Sequence, residues 1–352
     1  MTQLTRTAYI ARIGIKLGLL SLVGLIVGRV VLVNGFALYK RFFPDPPPPA
    51  TMGFGALPPI QFPESNIVQP PLTLETPDGG FPQTPFALKV FDVQPNRPNL
   101  LALERSSEQA IQMGFVNQPI ALTESLYRWS RGEGLPTTLE INIYEGTYTL
   151  IAQWAADPYF LENNELLSEN QAITKVEDYL NRNRLLPTDI DLFNPAMRYL
   201  KSSGGEFVST LSLSEADFID VDYTRTAIDN LYSAVTADPN QGLIEVIVSG
   251  NRNYADGIVR VAAQYFPIDY ISSQTYPIKP AAQAWQELTE GRAYVASFTS
   301  PSSLVAVRRV ELGYFDAFEA QDYLQPIWIF SGDNDFVAYV SAIAQDFNQN
   351  TR

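Results

Sequence analysis

A chain of 352 residues that is 46% hydrophobic and 12% aromatic is long and apolar enough for two or three modules with cores of their own, and its net charge of −14 sets it against nucleic acid. It has no cysteine and no histidine, which removes disulfides, cysteine nucleophiles, Ser-His-Asp triads, histidine bases and the usual zinc ligand sets. An S-x-x-K dyad and a complete phosphate-binding glycine loop are absent too, so only enzymes built on Asp, Glu, Tyr or Arg stay open.

The charge is unevenly placed. Residues 1–44 hold Arg6, Arg12, Lys16, Arg29, Lys40 and Arg41 without an acid, which gives +6. The rest carries 18 basic and 38 acidic residues, which gives −20. A solvated, soluble surface is the simpler meaning of such an acidic body, ahead of a cation-binding role.

Behind a short basic tail (1–16), Leu17 to Tyr39 reads LGLLSLVGLIVGRVVLVNGFALY, with Arg29 its one charge. About 20 apolar residues cross a bilayer as a helix, so a single transmembrane helix is expected over 17–39. Arg29 opposes this by ~3 kcal/mol, and the flanking Leu, Val and Ile outweigh it. The competing reading is a cleavable leader whose apolar core is Leu17 to Gly28. Apolar character resumes after Arg29, which favours the uncleaved anchor; either way the remainder is exported. The basic tail puts the amino end in the cytoplasm and the bulk of the chain outside, in a cell membrane. Gly24 and Gly28 form a G-x-x-x-G pair that would let two such helices approach as a homodimer.

A proline-rich stalk is expected over 40–85, since 13 of the 26 prolines fall between Pro44 and Pro85. Proline fixes φ and lacks an N–H, so P-D-P-P-P-P is an extended spacer. Phe54, Leu57, Ile60 and Phe62 are apolar beyond a spacer's needs. They either pack on the folded body, the preferred reading, or offer a docking strip.

Three helices then share a start. Q-A-I-Q (Gln109 to Gln112), Q-A-I-T (Gln171 to Thr174) and Q-A-W-Q (Gln283 to Gln286) each set a small alanine beside a bulky residue. Ser106 with Gln109, and Ser168 with Gln171, fit a capping box, and Pro280 suits a first helical turn. Gly114 is the expected stop of the first helix. Strands of alternating pattern follow each helix, and the last two turn at Gly332-Asp333-Asn334-Asp335. The expected fold is therefore α+β, with three repeated modules of a helix on a small antiparallel sheet, at 86–165, 166–279 and 280–352.

The closing segment P-I-W-I-F-S-G-D-N-D-F-V-A-Y-V, within Val305 to Ile343, resembles PepSY-like domains and the related YycH/YycI-type extracytoplasmic regulators. That resemblance implies non-catalytic, membrane-tethered modules that tune another envelope protein, and it brings no catalytic residues.

For chemistry, Asp220 and Asp222 fall on one face of a strand, where a carboxylate pair serves Ca²⁺ or acid–base catalysis. No calcium-loop pattern accompanies them, so a solvated sheet face is the preferred reading. Gly332 to Asp335 is read as a tight turn, and the four tryptophans as core. No catalytic, cofactor or metal residue is assigned. The expected protein is a single-pass, membrane-anchored, non-enzymatic binder of an envelope protein that contacts the lipid bilayer and no nucleic acid. The alternatives are a carboxylate-dependent envelope hydrolase and a structural subunit of a secretion or surface assembly.

Overall fold

Apolar residues at every second position of a strand go to one side of a sheet, and here that alternation is used on a large scale. The computed structural model describes residues 49–94, 100–254, 256–299 and 304–344. Apart from Pro49 they belong to one compact unit, Ala50–Arg352. It is mostly β. The early strands are β1 (Leu72–Leu74), β2 (Ala87–Val93), β3 (Ile120–Ala121), β4 (Leu126–Arg131), β5 (Thr137–Asn142) and β6 (Tyr148–Ala152). The middle ones are β7 (Ala196–Ser203), β8 (Glu206–Ser209), β9 (Phe218–Tyr223), β10 (Ser233–Val235), β11 (Ile244–Ser249) and β12 (Ile258–Ala263). The last are β13 (Ile268–Pro277), β14 (Tyr294–Ser297), β15 (Val305–Phe315), β16 (Tyr323–Gly332) and β17 (Phe336–Ser341). Three α-helices are present among the described residues: α1 (Ala102–Gln112), α2 (Glu169–Arg182) and α3 (Ala281–Thr289).

Repeated helix-plus-sheet modules are not what this chain builds. Nine strands form a single antiparallel sheet in the order β3-β4-β5-β6-β12-β11-β9-β7-β8. Eight others form a second sheet, β14-β17-β16-β15-β1, with β10 beside β15 and with β2 joining β13 to β16. Strands from the expected first two modules are thus neighbours: β6 pairs with β12, and β2 with β13. The chain also leaves the nine-stranded sheet after β9, lays β10 parallel to β15, and returns as β11.

The physical reason lies in the helices. A helix is about 10 Å across and strands lie about 4.8 Å apart, so one helix covers about two strands. α1 and α2 share one core on the nine-stranded sheet, where Ala110, Ala172, Val176 and Leu180 meet Trp129, Leu139, Val246 and Val261. Only α3 serves the other sheet, through Ala281, Ala284 and Leu288 against Trp328, Phe330 and Val340. One helix per sheet was the wrong inference from three similar starts.

Those starts also differ. Ser168 and Gln171 do make a capping box on α2, a feature worth about 1 kcal/mol. Ser106 does not cap: α1 begins at Ala102, and Ser106 is buried mid-helix between Ala102 and Ala110, one turn apart on the same face. Pro280 immediately precedes α3, and Gly114, at φ 90°, follows the last turn of α1.

The membrane span expected over 17–39, with Gly24, Gly28 and Arg29, lies outside the described residues. Among the described residues no helix is long and apolar enough to cross a membrane. The longest, α2, has 14 residues against the roughly 20 required, and only one of its faces is apolar. The described body therefore lends the single-pass membrane description no support.

The proline-rich run after Pro49 lies on the eight-stranded sheet. Phe62 stacks on Tyr294 with ring centroids 5.2 Å apart, and Phe54 meets Tyr323 at 4.9 Å. Leu57 is buried, Ile60 packs beside Phe62, and Pro58 O accepts a bond from Gln325 at 2.9 Å. Between prolines, Leu72–Leu74 escapes the restriction on φ and pairs in parallel with Val305–Val307.

One buried arginine ties the two sheets. Arg225, two residues past β9, has a fully buried side chain. Its Nε donates to Asp316, just past β15, at 2.7 Å, and Nη2 donates to Phe266 O at 2.9 Å. Nη1 donates to Asp189, and the guanidinium lies 4.7 Å from the Tyr265 ring centre. Asp189 also accepts from the hydroxyls of Tyr265 and Tyr270, at 2.7 Å each. Burial alone would raise the Asp189 pKa; Arg225 and the two hydroxyls hold it below the ordinary carboxylate value.

Candidate functional site

The strand F-I-D-V-D-Y divides its residues by alternation. Ile219, Val221 and Tyr223 enter the core under α1 and α2. Asp220 and Asp222 point the other way, to the face those helices leave uncovered. Register then assembles that face from seven strands. One row runs Ser130, Thr138, Ile151, Arg260, Ile247, Asp220, Arg198. Beside it runs Arg128, Glu140, Thr149, Ala262, Glu245, Asp222, Ala196. Directly paired side chains lie about 5 Å apart, so every charge here has a neighbour within reach.

Asp220 and Asp222 are not solvated, as the sequence suggested; they are 1% and 2% exposed. Arg198 Nη2 donates to Asp220 Oδ2 at 2.5 Å and to Asp222 Oδ2 at 2.9 Å, and lies 3.7 Å from Glu245. Arg260 reaches Glu245 at 3.4 Å. Asp222 Oδ1 accepts the Gly242 N–H at 3.0 Å, and a Cβ on Gly242 would come within 2.5 Å of Tyr223 O, so glycine is needed there. Asp220 Oδ1 has no partner. Burial pushes the Asp220 carboxyl up to about 8, helped by the Asp222 and Glu245 carboxylates and opposed by Arg198. Burial likewise pushes Asp222 up to about 6, against the Gly242 N–H and Arg198.

Chemically, this arrangement is occupied. One oxygen of each aspartate accepts from Arg198 Nη2, and among the described residues no group of three or more acidic side chains is arranged to hold a metal. Cavities lie elsewhere. One, of about 650 Å³, is lined by Arg131, Leu135, Phe160, Asn251 and Tyr254; another, of about 570 Å³, follows the outer face of α2 with Lys175, Asp178 and Arg182. Away from the buried cluster, Arg128 pairs with Glu140, and Ile151, between Thr138 and Arg260 in its row, stands 46% exposed.

Of the residues singled out in sequence, Asp220 and Asp222 come together here. Gly332 to Asp335 forms the β16–β17 turn, with Asn334 at φ 58° and Asp335 at φ 55°. Arg308 grips its Asp333 through Nε and Nη2, at 3.0 and 2.8 Å. Arg198, Glu245 and Arg260 were missed. Their signal was present: I-E-V-I-V and I-V-R-V-A each hold a lone charge inside an apolar strand, as F-I-D-V-D-Y does.

No family model matches the chain, and no curated protein matches it. Among solved structures it is similar to an uncharacterized protein from Eubacterium rectale ATCC 33656, at 10% identity and TM-score 0.38, over 80% of this chain and 90% of that one. It is also similar to the Bacillus megaterium YpeB C-terminal domain, at 10% identity and TM-score 0.33, over 71% of this chain and 95% of that domain.

Proposed function

We propose that the protein is a non-enzymatic recognition module that works outside the cytosol and binds another envelope protein through the exposed β4–β6 side of the sheet face opposite α1 and α2, the rest of that face being covered by Trp154, Phe160 and Phe207. The observation that carries this reading is the pair of charged rows around the half-exposed Ile151, held in place by cross-strand ion pairs. Preset polar groups around an apolar centre suit binding, because little side-chain freedom is lost on contact. Export rests on the basic, apolar start of the sequence, which either an anchor or a cleaved leader would use. The PepSY-like character of Pro326 to Val340 fits a regulatory binder.

A carboxylate hydrolase fits less well. Such an enzyme sets its two carboxyl groups on either side of a bound substrate. Asp220 and Asp222 instead share one guanidinium and are buried.

Affinity isolation tests the proposal. The wild-type chain should recover a defined protein partner, and Ile151→Arg, which adds a charge on that exposed side, should lower recovery at least about tenfold, some 1.4 kcal/mol. Ile151 is half exposed, and repulsion from Arg260 directly opposite costs at most about 1 kcal/mol, which leaves the fold intact. Equal recovery by both chains, or no specific partner for wild type, would overturn it.

A further inference from the structure

The candidate face is one positive charge short. Asp220 and Asp222 on β9 and Glu245 on β11 supply three carboxylates; Arg198 on β7 and Arg260 on β12 supply two guanidiniums. The deficit falls on one residue. Asp222 has two donors, Arg198 and the Gly242 N–H; Glu245 makes no hydrogen bond, but it is the least buried of the three and each of its oxygens has a guanidinium nearby, Arg198 at 3.7 Å and Arg260 at 3.4 Å. Asp220 shares its only donor with Asp222, and its second oxygen is buried without a partner. A carboxylate oxygen out of reach of water and of any N–H is strongly disfavoured as an anion. Binding a proton is the smallest change that removes the excess charge, and a proton needs no cavity.

We propose that this cluster is a proton-binding site: Asp220 holds one proton in neutral solution and releases it in mildly alkaline solution, so that the recognition face changes by one unit of charge. Electrostatics agree in direction, since burial first, then Asp222 and Glu245, put the Asp220 carboxyl up to about 8. Release turns a neutral carboxyl into an anion beside Asp222 and Glu245 in the same two rows as Ile151. A folded-state value raised above the unfolded one contributes stability that is fully present below the unfolded value. That stability is lost as pH rises through about 8. Any effect on partner binding rests on the proposed recognition role; the proton itself does not.

Infrared spectroscopy of the full chain without a partner reads the proton directly. Wild type should show the carbonyl stretch of a neutral, buried carboxylic acid that is present at about pH 7, where Asp222 is mostly ionised, and is lost as pH rises to about 9. Asp220→Asn, which keeps size and shape, should lack that band throughout. No such band in wild type, or its persistence in Asp220→Asn, would overturn the proposal. Should the variant fail to fold, the carboxyl carbon-13 NMR titration of Asp220 in the wild-type chain decides, and an Asp220 already ionised at about pH 7 would overturn the proposal. Because no partner is present, failure here leaves the Ile151→Arg result standing, and the reverse holds too.

Discussion

Arg225→Met is expected to cost about 3–5 kcal/mol of folding stability, the range for removing one member of a buried ion pair. The side chain is fully buried, and it joins Asp189 and the Phe266 carbonyl to Asp316 beyond β15. Methionine fills a similar volume but donates nothing, so Asp316 and the Phe266 carbonyl lose this donor and Asp189 keeps only the Tyr265 and Tyr270 hydroxyls. Urea denaturation measures the loss. The pH dependence gives a second check. Asp189 is held below its ordinary value, so it contributes stability that is present above the unfolded pKa and is lost as pH falls through the folded one. That acid-side loss should shrink in the variant. A cost below about 1 kcal/mol would mean that the two sheets are held together by apolar contact alone.

Arg198→Met should behave differently. Its side chain is one-third exposed, so the loss is discounted to about 2–3 kcal/mol. The expected dependence on pH is the more telling part. Without Arg198, Asp220, Asp222 and Glu245 keep only Arg260, and Arg260 reaches Glu245 alone. In mildly acid solution the aspartates take up protons and the repulsion fades. In mildly alkaline solution the penalty grows, because Arg198 is what holds both aspartate values down to about 8 and about 6, and losing its charge raises them further. The stability gap to wild type, measured by denaturation across that range, should widen as pH rises. A constant gap would show that Arg198 contributes packing and not charge compensation.

The strands themselves were largely legible. F-I-D-V-D-Y, I-E-V-I-V-S-G and P-I-W-I-F-S announce themselves by alternation or by apolar runs, and they form β9, β11 and β16. Their pairing was not legible. Alternation says which residues share a face and nothing about which strand lies alongside, so β6 with β12 and β2 with β13 were lost. Once three similar helix starts suggested three modules, each sheet was closed too early. Short strands such as β1, set among prolines, gave no periodic signal at all.

The candidate site shows the same division. Asp220 and Asp222 were visible as a same-face pair, but their burial depends on Arg198 in A-M-R-Y-L-K, a segment that gave no strand signal strong enough to read. A lone charge in an apolar strand is ambiguous by itself. Such charges in β9, β11 and β12 become a network only when the strand order is known. The covered half of the site, a buried ion-pair cluster, is thus a product of topology.

The exposed β4–β6 side of the sheet face as the place where a partner docks is the claim on which the functional reading turns. Photo-crosslinking in intact cells addresses it most directly, with a photoreactive residue in place of Ile151 on that face and, as a control, of the exposed Glu108 on α1. A discrete higher-mass adduct from position 151 and none from position 108 is the predicted result. No adduct from position 151, or the same adducts from both positions, would contradict it.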